Sequence, residues 1–403
     1  MHAVVTPRIA LVCVDPGVAK NTGYREKFLV CAEELARRGS VDVFGYDLLP
    51  SAVANCRMTW DFAELGARSQ MRRYWIVCRE LARNRYNLVF TQTSFEPLWF
   101  LMLLVARLSG AKTAYRYADS ISDVVRGMRK QCIRRTRSRF LASVVSALAP
   151  VAEHCALHLS TYILATSNSL ARGAKRVTKG RTSVYTVYNY VQTIPAASGE
   201  VGALTADLRG GCDLLVAYFG HIQPEIRGLE LVLDAFAQLP REFRFVMLGE
   251  NQWPEYFERI IRQLDLENRT RVLSAMPKPL ALAVLREVDY AILGRYPPWA
   301  LPAKLFDAIA VGVPLILPSQ MRDAVELFGH CSVTYDQRKV SSLVSVLSGA
   351  SAERNRLAQA ARQAASQQPF ETFERGLSRV LDEIRVLPRN RPDGCKHDQR
   401  RPV

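Results

Sequence analysis

Residues 302–316 read PAKLFDAIAVGVPLI, and their types and spacing could hold an anion. Pro302 suits the first helical position, where a missing N–H costs nothing. Leu305, Phe306, Ile309 and Ala310 recur at helical spacing, Gly312 supplies a cap and Pro314 prevents continuation. Lys304 falls in the first turn, where unpaired N–H groups and the backbone dipole add positive charge. Together they predict an anion site suited to a diphosphate. Asp307, three residues on, shares that face and is placed to accept hydrogen bonds from hydroxyls beside it. An ordinary amphipathic helix with solvated end charges fits the same residues.

Other segments could join such a site. In FGHIQPEIRG, 219–228, Gly220 ends a strand pattern where backbone can approach a phosphate, and Arg227 could bind phosphate oxygens through two N–H groups. Glu250 and Asn251 follow another strand pattern and either face a cleft or cap the next helix. The loop DPGVAKNTG, 15–23, with Gly17 and Gly23, lies between a strand and a helix. It is neither a G-x-G-x-x-G fingerprint nor a Walker loop, so neither NAD nor ATP is expected as a cofactor. Asp119, in YRYADSISD, follows a strand and is either a general base at the sheet's carboxyl edge or a helix cap. A basic run follows: Arg126, Arg129, Lys130, Arg134, Arg135, Arg137 and Arg139, with no acid among them. It suits an anionic membrane surface or a solvated helix face. Aromatic residues are not interleaved with it, so nucleic acid is not an expected partner.

The elements that must position these residues alternate. Strand patterns at 8–14, 41–46, 87–92, 112–117, 161–167 and 183–189 are separated by helical ones at 24–38, 70–84 and 96–109, a long one near 121–159 that Pro150 could break, and a short one after 167. A Gly-, Ala- and Pro-rich stretch follows near 192–212. A second series has strands at 214–220, 243–249, 271–274, 290–294 and 315–318, with helices near 228–239, 254–264 and 279–287 besides the one opening at 302. This is an α/β pattern of two Rossmann-like domains facing across a cleft, closed by a helix at 371–388 and a basic tail at 389–403 expected to be disordered. The expected boundaries are 1–195, a linker at 196–212, and 213–370.

Composition limits the function classes. The 403 residues, 49% of them apolar, suffice for two cores, and 54 Lys and Arg against 38 Asp and Glu leave a net charge of +16. That excess favours an anionic partner. Nine cysteines lie singly, without a C-x-x-C pair, which argues against a zinc site or a disulfide framework and for a reducing, cytoplasmic setting. No secretory leader is evident, and the apolar run at 98–106 is too short to span a bilayer.

The string at 302–316 resembles the donor-binding helix of GT-B glycosyltransferases, especially glycosyltransferase family 4, whose pattern runs P-x-K-L-x-E-x-x-A-x-G-x-P-V-I. Asp307 stands where those relatives have Glu. YNLVFTQTS at 86–94, the segment holding Glu153 and Ser167, and Asn189 in TVYNYV also match in order, with Tyr190 replacing a usual Gly. The resemblance implies a metal-independent transfer of a sugar from a nucleotide donor, UDP-linked, to an acceptor hydroxyl. The acceptor is a lipid-linked glycan of polysaccharide assembly at the inner face of the cell membrane. The 1–195 domain then serves the acceptor and 213–370 the donor. The 15–23 loop resembles one that lies against donor phosphate or acceptor. Asp119 matches the proposed base in the related inverting glucuronosyltransferase of xanthan assembly. In the place of that enzyme's Ala-Pro-Tyr stands Gly294-Arg295-Tyr296, so Tyr296 either meets uracil or sugar or shields the loop. Retaining members carry a Glu where this chain has Trp299, which favours inversion. A nucleotide-sugar epimerase and a non-catalytic membrane scaffold of the same fold remain alternatives.

Overall fold

The computed structural model describes residues 6–13, 22–46, 55–62, 70–92, 99–127, 139–193, 195–197, 199, 201–224, 227–367 and 371–384, with backbone alone at 22–24, 70, 126–127 and 139–146. Two parallel sheets organise them. The first runs β3-β2-β1-β4-β5-β6-β7, with β1 Arg8–Val12, β2 Ser40–Gly45, β3 Cys56–Asp61, β4 Leu88–Gln92, β5 Lys112–Tyr117, β6 Tyr162–Ala165 and β7 Ser183–Thr186. The second runs β10-β9-β8-β11-β12-β13, with β8 Leu214–Phe219, β9 Phe243–Leu248, β10 Thr270–Leu273, β11 Tyr290–Ile292, β12 Leu315–Pro318 and β13 Ser332–Tyr335. Both are the expected α/β sheets, and their central strands are near-continuous runs of buried apolar residues because helices cover both faces.

The helices of the first unit are α1 Thr22–Ala36, α2 Gln70–Arg83, α3 Phe100–Leu108, α4 Ile121–Gly127, α5 Arg139–Leu159 and α6 Asn168–Thr178. The second carries α7 Gly202–Arg209, α8 Leu229–Ala237, α9 Pro254–Gln263, α10 Lys278–Arg286, α11 Ala303–Ala310, α12 Arg322–Phe328 and α13 Val340–Gln367. A last helix, α14 Phe373–Ile384, crosses back: Phe373, Leu377, Val380 and Leu381 are buried in the core of the first unit. The Phe373 N–H donates to the Tyr190 carbonyl at 2.6 Å, so the outgoing and returning crossings touch.

Several local expectations change. Pro150 does not break its helix but lies inside α5. Gly23 belongs to the first turn of α1, not to a loop, and Gly17 lies outside the described residues. The stretch read as a linker contains α7, whose Leu208 is buried and whose Arg209 pairs with Asp289 at 3.2 Å. Strand β3 went unread although CRMTWD alternates apolar and polar residues, as suits a half-buried edge strand. The described cysteines are free thiols, and among the described residues no helix is long and apolar enough to cross a membrane.

Candidate functional site

Chain order reverses between β8 and β11, and in an open parallel sheet the crevice lies beyond the carboxyl ends of such a pair. Gly220 and Arg227 follow β8, while Tyr296 and Lys304 follow β11, so the structure brings these four together. The Lys304 Nζ lies 4.2 Å from the centroid of the Tyr218 ring and 5.7 Å from that of Tyr296. The Arg227 guanidinium stacks 4.3 Å from the centroid of the buried Tyr296 ring. Aromatic faces thus hold two cations side by side and offset part of their repulsion. Burial opposes the Lys304 charge, but Tyr218 and Tyr296 outweigh it and the amine pKa is raised. Burial likewise pushes the Tyr296 phenol up, yet Arg227 and Lys304 outweigh it and hold the pKa below its usual value.

Glycine geometry makes room for the amine. Gly220 has φ +121°, and a Cβ there would meet the Lys304 Nζ at 2.6 Å. Gly249, φ +151°, ends the neighbouring strand, and its Cβ would lie 1.9 Å from the Gly220 carbonyl oxygen. Only residues without a side chain let the two loops approach this closely.

Glu250 and Asn251 sit on the same edge with local partners. The Glu250 carboxylate lies 3.2 Å from His221 Nδ1, and Asn251 Oδ1 accepts the Trp253 N–H at 3.0 Å in the turn before α9. Burial lowers the His221 pKa, aided by Lys304 and Arg227 and opposed by Glu250, so the imidazole is neutral at pH 7.

Asp307 departs from its expected surroundings. It is 7% exposed, and its Oδ1 lies 3.3 Å from Lys278 Nζ, away from the partners of Lys304. Lys278 also reaches Glu26 of α1 at 3.5 Å and donates to the Val191 carbonyl at 3.3 Å. Burial raises the Asp307 pKa against the pull of Lys278 and Lys27. Lys27 is itself 6% exposed, and burial, reinforced by Arg116 and Lys278, brings its pKa down to about 7. Sequence reading passed over Lys278, yet Pro277-Lys278 opens α10 beyond β10 much as Pro302-Ala303-Lys304 opens α11 beyond β11.

The carboxyl edge of the first sheet faces this assembly. Asp119 follows β5, half-buried, just before α4, where the Ser120 hydroxyl accepts the Asp123 N–H at 3.4 Å. The buried Glu153 carboxylate accepts from the Tyr117 hydroxyl, the Ser122 N–H at 2.8 Å and the Ser120 hydroxyl at 3.4 Å, fixing the segment that carries Asp119. Beneath it Arg116, 1% exposed, donates to Gln92 Oε1 at 3.0 Å and to Asn189 Oδ1, with Phe373 against its guanidinium. Contacts that tie the facing edges together include Trp299 Nε1–H to Asp123 Oδ2 at 3.1 Å, Ser169 N–H to Asp323 Oδ2 at 2.8 Å, Arg172 to Asp323 at 3.8 Å, and Lys278 to Glu26. Arg126 lies in α4 without a described side chain, and Arg129, Lys130, Arg134 and Arg135 fall outside the described residues. Among the described residues no group of three or more His, Cys, Asp or Glu could hold a metal ion.

Residues 210–366, which contain Tyr218, Gly220, Arg227, Tyr296 and Lys304, match the family of glycosyl transferases group 1. Across almost the full chain the fold is GT-B, as the resemblance implied. Anabaena HepE, solved in complex with UDP and glucose, is 15% identical over 94% of this chain and 100% of that one, with a TM-score of 0.68. Sucrose-phosphate synthase from Thermosynechococcus elongatus is 15% identical over 94% and 98%, TM-score 0.68. WaaG, a glycosyltransferase involved in lipopolysaccharide biosynthesis, is 14% identical over 92% and 99%, TM-score 0.66. No curated protein matches the chain. In the matched region the two cations occupy the crevice at the strand-order reversal, and the first sheet supplies the opposite wall.

Proposed function

We propose that the protein transfers a sugar from a UDP-sugar to an acceptor hydroxyl on a lipid-linked glycan of polysaccharide assembly, at the inner, anionic face of the cell membrane. The observation that carries this reading is the Lys304–Arg227 pair held over Tyr218 and Tyr296 at the strand-order reversal of the region that matches group 1. The UDP bound to the Anabaena neighbour supports the choice of nucleotide. The second unit takes the donor and the first the acceptor.

The acceptor oxygen attacks the anomeric carbon while the bond from that carbon to the diphosphate oxygen breaks. The electron pair leaves with UDP, and Lys304 and Arg227 offset the charge that builds there. Asp119 accepts the acceptor's hydroxyl proton. Asp307, its Oδ1 facing Lys278, orients the donor ribose through its other oxygen. Gly220, Glu250 and Asn251 shape the phosphate side of the crevice, and Tyr296 supports Arg227 from beneath. Trp299 stands where retaining relatives place a carboxylate, which supports inversion. Cations replace a metal in neutralising the diphosphate, and no cofactor beyond the nucleotide sugar takes part.

The test is a panel of nucleotide sugars assayed with and without membrane extract, in the presence of EDTA. Transfer from a UDP-sugar that needs the extract and survives EDTA is expected. Donor conversion without an acceptor would mean an epimerase, and no thermal shift with UDP would mean a scaffold.

A further inference from the structure

The two faces of the first sheet carry different surfaces. Right-handed crossovers place α2, α3, α5 and α6 side by side on one face, each packed on the next, while α1 and α14 pack together on the other. On the α1–α14 face charges alternate in sign and pair: Arg38 with Asp382 at 2.7 Å, Arg37 with Glu374 at 3.3 Å, Arg379 with Glu383 at 3.5 Å. The four-helix face has no such balance. Large apolar side chains project from it: Met71 is 66% exposed, Trp75 60% and Leu108 79%, with Leu104, Leu148 and Val151 beside them. Exposed cations border them, Arg72, Arg79, Arg83 and Arg107 on one side and Lys175 and Arg176 on the other. The described acids of these helices are withdrawn: Glu153 is buried, and Glu80 is half-buried and accepts the Asn84 amide at 2.9 Å.

We infer that this face, centred on Trp75 and Leu108, docks the protein on an anionic lipid bilayer. An apolar centre with an indole enters the headgroup boundary, and rim cations meet lipid phosphates. A second copy of the chain fits less well, because isologous contact would set uncompensated cations against cations. The inference rests on the proposed membrane location, not on the chemistry, and centres the contact on Trp75 and Leu108 rather than on the basic run that starts at Arg126. It leaves the crevice free to meet an acceptor anchored in the same bilayer.

Co-sedimentation of the full chain with vesicles tests it. Binding to phosphatidylglycerol–phosphatidylcholine vesicles should exceed binding to phosphatidylcholine alone by about tenfold or more. Trp75→Ser with Leu108→Ser, and separately Lys175→Glu with Arg176→Glu, should each weaken it by about tenfold, without change in thermal unfolding or in the UDP thermal shift. Equal binding to both vesicle types, or variants that bind as the parent does, would overturn the inference. So would sedimentation velocity showing a lipid-free dimer that these variants dissociate. A missing UDP shift in the parent protein would sink the donor reading and leave the vesicle result standing.

Discussion

The two walls of the cleft are built by opposite means. On the wall of the second unit, charge rests on aromatic rings and glycine backbone: Lys304 and Arg227 lie against Tyr218 and Tyr296, with Gly220 and Gly249 making the space. On the wall of the first unit, charge rests on hydrogen bonds to side chains distant in the chain: Glu153 holds the segment at 117–122, and Arg116 spans Gln92 and Asn189. A ring face attracts a cation without neutralising its charge, so Lys304 and Arg227 keep a positive field for an incoming anion. Side-chain hydrogen bonds consume donors and acceptors, and so hold a loop rather than bind a ligand. On the proposed reading the wall of the second unit is a receptor for the donor, and the wall of the first is a mount for one carboxylate.

That contrast can be broken most sharply at the mount's own cargo. Asp119→Asn should lower kcat by about 10²–10⁴-fold with the UDP thermal shift unchanged, and flatten the acid limb of the pH–rate profile. A shifted UDP affinity would erase the division of labour. Lys304→Ala should lower kcat by about 10²–10³-fold and weaken UDP binding while the fold persists; unchanged donor turnover would remove the receptor from this crevice. Glu153→Gln sets an amide against donors that need an acceptor and should cost roughly 2–3 kcal/mol of stability. Its activity loss should fall on kcat rather than on the donor KM, as a mount requires. The smallest effect is expected at Lys27, where the walls meet. Its pKa falls from 10.5 to about 7, so between those values the unfolded chain binds more protons than the folded one. Stability should therefore rise with pH across that window, the full cost of the charged amine lying below it. Lys27→Met should raise the unfolding temperature most at pH 6 and progressively less toward pH 10; a uniform gain would place Lys27 outside the buried network.

Trp299 and Asp123 show where the walls are coupled. The indole is packed against the cores of both units and donates its N–H to Asp123, four residues beyond Asp119. In the sequence it registered as a missing glutamate; in the structure it is a contact of the closed cleft.

How much was legible follows from distance along the chain. The α/β alternation, the helix at 303–310, the glycine at 220 and the cations at 227 and 304 could be read because each depends on residues within one turn or loop. Helix periodicity, capping and strand hydrophobicity act over a few residues. Lys278 carried a readable sign, a Pro-Lys helix start after a strand, but its partners Asp307 and Glu26 stand 29 and 252 residues away. Strand β3 carried a legible alternation that went unread, whereas the course of α5 through Pro150 and helix α14 on the first core rather than the second depend on tertiary packing, which overrides local signals. By itself the sequence determined two parallel-sheet units and a cationic helix start in the second. Only the tertiary structure decided that Asp307 is buried against Lys278, that Glu153 binds the Asp119 segment, and that an apolar, cation-rimmed face turns outward. Ion pairs and burial are properties of surfaces brought together, and no local spacing records which surfaces will meet.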